Sequence, residues 1–321
     1  MEQRRSSAAA WPFLARFIDR EERLAEAAAA RGGLALGAYE FVRFGVKQAW
    51  ACLYGGLMLA LLLGAWLLYP GDLPLARYDF LTLAALTLQV ALITLRLETR
   101  EEALVIALFH VVGTGMEIFK TAMGSWVYPE PSLLRLGGVP LFTGFMYAAV
   151  GSYIARAWRL FDFRFTRHPP LWATLGFAVA AYVNFFTHHY WWDMRWGLFA
   201  LAALLFGRCW VHFRIWRRHR HMPLLLGFAL VALFIWFAEN IGTFAGAWIY
   251  PSQKAQWTLV SPAKFGSWFL LMILSYALVC LVRRPLPLGE VFQYCGGRII
   301  GIRHQIAATE GRPVERSKAD L

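Results

Sequence analysis

From residue 49 onward long apolar runs alternate with short polar breaks. Eight of those runs approach the roughly 20 helical residues that a hydrocarbon core of about 30 Å requires. They lie near 49–69, 78–96, 102–123, 138–157, 171–188, 196–212, 222–243 and 263–282. Hydrocarbon offers no partner for an unpaired backbone N–H or C=O, so each run is expected to be helical. The pattern predicts an all-α polytopic membrane protein with about eight transmembrane helices. Ahead of the runs, Phe13, Leu14, Phe17, Ile18 and Leu24 among Arg16, Arg20 and Arg23 predict an amphipathic helix lying on the bilayer surface. Beyond residue 282 the chain turns polar and basic, which predicts a mobile tail.

The apolar runs also repeat. Glu117, Thr121, Gly124, Trp126, Tyr128, Pro129, Pro140 and Gly144 recur without a gap, 122 residues on, as Glu239, Thr243, Gly246, Trp248, Tyr250, Pro251, Pro262 and Gly266. Such self-similarity is the mark of a duplicated unit. It divides the chain into a cytoplasmic N-terminal segment 1–48, a first four-helix repeat 49–165, a second 166–282 and a cytoplasmic tail 283–321. Four helices per unit is an even number, so the repeats are expected to be parallel, related by a pseudo-two-fold axis along the membrane normal.

Composition agrees. Apolar residues make up 59% of the chain and charged residues 16%, well away from soluble averages of about half and a quarter. With the N-terminus inside, 26 of the 32 Lys and Arg fall in cytoplasmic segments, as basic residues do. Five fall outside: Arg77, Arg135, Arg195, Lys254 and Lys264. The reading is a bacterial inner-membrane protein with both termini cytoplasmic and no cleavable signal peptide. The net charge of +12 is assigned to topology rather than to nucleic acid, with membrane lipids as the expected partners. Arg214, Arg217, Arg218 and Arg220, with His212, His219 and His221, form the candidate contact with anionic headgroups. Cys52, Cys209, Cys280 and Cys295 fall near the cytoplasmic side, where no external disulfide is expected.

Glu117 and Glu239 are the first candidates for chemistry, because a carboxylate inside a membrane helix is costly and so faces the protein interior beside a partner. Two of them across a pseudo-axis suit acid and base work, although hydrogen bonding between helices, or pairing of Glu117 with Lys120, would also explain them. His110, Thr114, Glu117 and Thr121 form one polar stripe at helical spacing, and His110 is a third catalytic candidate. Trp126, Tyr128, Trp248, Tyr250, Asn240 and Lys120 are candidate substrate contacts. His188, His189 and Asp193 could bind zinc, iron or manganese, but the two adjacent histidines would point to different faces of a continuous helix. No cofactor or oligomeric state is specified. Soluble-enzyme signatures such as a phosphate loop or nucleophile elbow are absent.

Two resemblances rest on these residues. Phe109-His110-x2-Gly113-x3-Glu117 and Glu117-x8-Trp126-Val127-Tyr128-Pro129 resemble the bacterial integral-membrane family called domain of unknown function 817, over roughly residues 35 to 300. That likeness implies the membrane class and carries no reaction. Glu117, Gly124, Trp126, Tyr128, Gly137, Gly138, Pro140 and Leu141 are similar to the small-subunit carotenoid lycopene cyclases. That likeness implies isoprenoid chemistry, but where those cyclases carry an acidic pair this chain has Phe142 and Thr143, and Lys264 and Phe265. The sequence therefore favours an enzyme acting on a lipid, isoprenoid or other hydrophobic small molecule at the outer leaflet. A small-molecule or ion transporter and a membrane scaffold are the alternatives.

Overall fold

The structure is a computed structural model that describes residues 12–288, 290–295 and 298–303, with side chains from residue 20 to 288. Ten α-helices dominate the described residues. Two precede the first predicted window, α1 (Pro12–Ala30) and α2 (Gly33–Ala51). A helix then occupies each predicted window: α3 (Leu53–Leu68), α4 (Arg77–Thr94), α5 (Arg100–Ala122), α6 (Phe142–Phe161), α7 (Leu171–Thr187), α8 (Arg195–Phe206), α9 (Leu224–Phe244) and α10 (Lys264–Val282). By length and composition α5, α9 and α10 can each cross a membrane, and α2 with α3 makes a fourth candidate, bent by 64°. Helices α7 and α8 are apolar but shorter.

The amphipathic segment expected at the N-terminus is helical as α1, though the side chains of Phe13, Leu14, Arg16, Phe17 and Ile18 lie outside the described residues. It folds against α2 through Glu21, which pairs with Arg43 at 2.7 Å and accepts from the Tyr39 hydroxyl at 3.2 Å.

The sequence misjudged the end of α8. The helix stops at Phe206, and residues Trp210–Arg214 form a strand, β4. Gly207 is a poor helix former, and the aromatic and β-branched residues after it favour an extended chain. The two-residue strands β1 (Arg135–Leu136) and β2 (Val139–Pro140) pair with each other, and β4 joins β3 (Arg164–Thr166) and β5 (His219–Pro223) in a three-stranded antiparallel sheet, with His212 opposite His221. The histidine and arginine cluster is thus a hairpin rather than a loop. It is fastened to the helices by Arg220 on Glu40 at 2.5 Å and by Arg214 on Asp162 at 3.0 Å. The tail expected to be mobile contains a further hairpin, Glu290–Cys295 with Arg298–Arg303. Cys52, Cys209 and Cys280 are free thiols, while the Cys295 side chain lies outside the described residues.

Helix α6 is central, touching α2, α3, α4, α5 and α10. Its approach to α5 requires small residues, because a methyl on Gly144 would sit 2.5 Å from both His110 Nδ1 and Thr114 Oγ1. Gly113 and Gly151 are packed as tightly, against Tyr147 and Phe109. Helix α5 opens with a capping box in which Thr99 and Glu102 satisfy each other's backbone amides, a device that fixes where a helix starts.

Candidate functional site

Helices α5 and α9 end alike. Gly124 and Gly246 follow them with φ of +68° and +63°, the left-handed turn that glycine adopts without a steric cost. That geometry explains both glycines of the repeated motif. Beyond each turn the chain extends, and Val127 and Ile249 exchange two backbone hydrogen bonds of 3.0 Å. These are the residues between Trp and Tyr in the two motifs, so the motifs pair through equivalent positions. Arg77 staples the arrangement. Its guanidinium meets the carboxylate of Glu130 and donates to the carbonyls of Ala245 and Gly246 at 3.1 Å each. Asp79, two residues on, accepts the backbone amides of Leu133 and Leu134 at 2.8 and 2.7 Å.

Both glutamates sit just inside these turns, 4% and 3% exposed. Glu117 accepts from Trp126 Nε1 at 2.7 Å, from the Tyr128 hydroxyl and from the Tyr147 hydroxyl at 2.8 Å. Glu239 accepts from the Tyr250 hydroxyl and from Trp268 Nε1 at 2.5 Å. Burial, then the adjacent carboxylates, push the Tyr128 and Tyr250 phenols well above the ordinary tyrosine value, which keeps them donors. Each glutamate thus ties a turn and a following helix to its own helix, and Glu117 does not pair with Lys120.

Two of the donors were not legible. Tyr147 and Trp268 lie 30 and 29 residues after their glutamates, so neither falls on its counterpart at the repeat offset, and a search for identities passes over both. Trp248 was expected to match Trp126. Its ring instead covers Gly242, where a methyl would lie 2.4 Å from the indole. Asn240 holds the chain near Val260, accepting that residue's amide at 2.9 Å and donating to the Trp236 carbonyl at 2.8 Å. His110 lies between α5 and α6 against Phe145, ring centroids 4.4 Å apart.

Beside the paired turns lies a cavity of about 400 Å³. Its mouth is polar, with Lys120, His188, His189, Arg195 and Lys264, and its floor is apolar, with Leu270, Leu271 and Leu274 of α10. Trp126 forms part of the wall, whereas Glu117, Glu239 and His110 do not line it. Lys120, 5% exposed, points its ammonium at His189 Nε2 (2.8 Å) and His188 Nε2 (3.3 Å). The two imidazoles converge, with centroids 4.2 Å apart, because α7 ends at Thr187 and residues 188–190 form a turn. The premise of one continuous helix fails there. Asp193 turns to Arg195 at 2.8 Å. Burial works against it, yet the Arg195 amide, Asn184 and the Arg195 charge hold its carboxyl below the usual range. Among the described residues no three His, Cys, Asp or Glu side chains gather as a metal site.

Burial, the Lys120 charge and then His188 hold His189 below the ordinary imidazole value, which preserves a nitrogen lone pair for the ammonium. The folded turn therefore binds fewer protons than the open one, so its contribution is present above about pH 6.5 and is lost as pH falls. Amide exchange over residues 188–194, corrected for intrinsic rates, is expected to quicken severalfold between pH 7.5 and 5.5. Unchanged protection would contradict this account of the turn.

The family model described as "Protein of unknown function (DUF817)" matches residues 40–276. A protein of Bacillus subtilis (strain 168), described as "Uncharacterized protein YoaT", is 42% identical over 245 residues, covering 76% of this chain and 92% of that protein. No solved structure matches the chain.

Proposed function

For a chain that belongs to the DUF817 family of proteins of unknown function, we propose an eight-helix inner-membrane enzyme that takes a lipid or isoprenoid substrate at the outer leaflet. The observation that carries the reading is the cavity, where a polar mouth stands over a floor of leucines. Its volume of about 400 Å³ falls within the ordinary range for small-ligand sites, and its division into polar and apolar parts suits a head and a chain. The parallel repeat is supported by the bridge between Val127 and Ile249 and by the like turns at Gly124 and Gly246. Contact between equivalent residues is what a local two-fold axis produces.

Lys120 is the reactive group in this proposal. A buried lysine flanked by imidazoles suits proton transfer or attack on a carbonyl better than a solvated one does. Glu117 and Glu239 serve as positioning residues, holding the Trp126 wall and the Tyr250 ring over which the Lys264 ammonium lies, 4.5 Å from the centroid. The saturation of both carboxylates by buried donors also favours, for those two residues taken alone, the scaffold reading.

The test is mass spectrometry of total lipid extracts from a deletion strain re-expressing wild type, Lys120→Gln or Glu117→Gln. A precursor and product pair restored by wild type and Glu117→Gln but not by Lys120→Gln is expected. An unchanged lipid profile, with all three proteins present at equal levels, would overturn the enzyme reading.

A further inference from the structure

We infer that the cavity selects an anionic amphiphile, a phosphate monoester carried on a long apolar chain. The inference deepens the lipid reading above and rests on it for the identity of the site. Three basic groups, Lys120, Arg195 and Lys264, border the same cavity. One carboxylate, Asp193, neutralises one of them by pairing with Arg195 at 2.8 Å. Among the described residues neither Lys120 nor Lys264 forms an ion pair with a carboxylate. The Lys120 ammonium meets only imidazole nitrogens and the Phe185 ring, 4.2 Å from its centroid. Lys264 lies over the rings of Tyr250 and Trp126, at 4.5 and 5.6 Å. Buried charge is normally paired, because desolvating a lone ion is costly. Two ammonium groups that touch no carboxylate, although Glu239 acts on Lys264 and Asp193 on Lys120 through space, therefore mark a place for an anionic head such as a phosphate monoester.

Two independent features have the same sign. Helices α8 and α10 begin at Arg195 and Lys264, both of which line the cavity, so both bring the positive end of a helix dipole to it. The Arg195 amide is taken by Asp193 at 3.0 Å and the Lys264 and Phe265 amides by the carbonyls of Ser261 and Pro262, so the contribution here is that of the dipole. The lining beyond these groups is apolar: Leu270, Leu271 and Leu274 follow Lys264 along α10, leading from the basic mouth into the body of the helix. A free phosphate would use the mouth and leave the leucines idle. A neutral lipid would use the leucines and leave two cations unpaired.

The probes are hexadecyl phosphate, hexadecanol, hexadecyltrimethylammonium and inorganic phosphate, presented to the full chain in a neutral detergent and read by native mass spectrometry. Wild type is expected to retain one hexadecyl phosphate at least tenfold more tightly than hexadecanol or the cationic amphiphile, and inorganic phosphate is not expected to displace it at equal concentration. Lys120→Gln and Lys264→Gln should each weaken retention about tenfold, with Lys120→Arg and Lys264→Arg recovering most of it. Lys254→Gln, at an exposed position outside the cavity lining, should leave it unchanged. Equal retention of phosphate and alcohol overturns the inference, as does undiminished retention in both glutamine variants when size exclusion shows them folded. Full displacement by inorganic phosphate overturns the amphiphile and leaves a simple anion site. Failure here is separable from failure of the enzyme reading. An uncharged lipid pair that changes on deletion sinks only the inference, whereas Lys120-dependent binding with an unchanged lipid profile sinks only the enzyme.

Discussion

Glu117→Leu is expected to lose most of its folded protein, while Glu117→Gln loses little. Leucine removes the acceptor of three buried donors, Trp126 Nε1 and the hydroxyls of Tyr128 and Tyr147. An orphaned buried donor costs about 1 to 3 kcal/mol, so three sum to on the order of 5 kcal/mol after allowance for non-additivity among groups in contact. Glutamine keeps one oxygen. Set at the Oε2 position it still serves Trp126 and Tyr128, and its amide nitrogen can donate to the Tyr147 oxygen, which a hydroxyl accepts. The loss is then about 1 to 2 kcal/mol, chiefly the charge assistance. Glu239→Leu strands two donors rather than three and should fall between. Thermal unfolding followed by size exclusion checks the order Glu117→Leu, Glu239→Leu, Glu117→Gln. Equal loss from leucine and glutamine at 117 would mean that the carboxylate charge matters rather than its acceptor count.

That order also separates what the sequence could reveal from what it could not. Apolar runs announced where helices lie, because length and hydropathy are properties of a segment by itself. The recurring motif located both glutamates and both turn glycines, because the ends of α5 and α9 make the same demands: a left-handed turn at Gly124 and Gly246 and a buried acceptor just before it. The cavity was less visible. Lys264 and Arg195 read as outer-loop charges, and only the packing of α10 on α5 and the turn that leads into α8 bring them to one cavity with Lys120. His188 and His189 would point to different faces of a continuous helix; the window to 188 places the helix end within a residue of Thr187, but not the turn that brings the two rings together. Strand β4 was hidden because Trp210-Val211-His212-Phe213 continues the apolar run of α8, and a short apolar stretch does not declare its period.

The other large effect lies at the far end of the helices, where Arg156→Leu is expected to destabilise the chain by about 3 to 5 kcal/mol. By sequence Arg156 is one more basic residue at an inner helix end. In the structure its side chain is 0% exposed and meets Glu98, also 0% exposed, at 2.9 Å, with Gln89 donating to the second Glu98 oxygen at 2.6 Å. Removing one partner of a buried pair strands the other's charge, which is far worse than removing both. Arg156→Leu with Glu98→Leu should accordingly recover most of what either single change loses, and a double-mutant cycle measures the coupling. A pH signature identifies the stranded carboxylate. Burial already pushes the Glu98 carboxyl above its ordinary value, against the pull of Gln89 and Arg156, and without Arg156 it moves higher. The folded variant then binds a proton that the unfolded chain releases, so its stability rises as pH falls toward the unfolded value near 4.3. The deficit relative to wild type should shrink by about 1.4 kcal/mol per pH unit on that approach. Melting curves of Arg156→Leu and wild type between pH 8 and 5.5 test this. A deficit that stays constant with pH would mean that packing, and not the stranded charge, accounts for the loss.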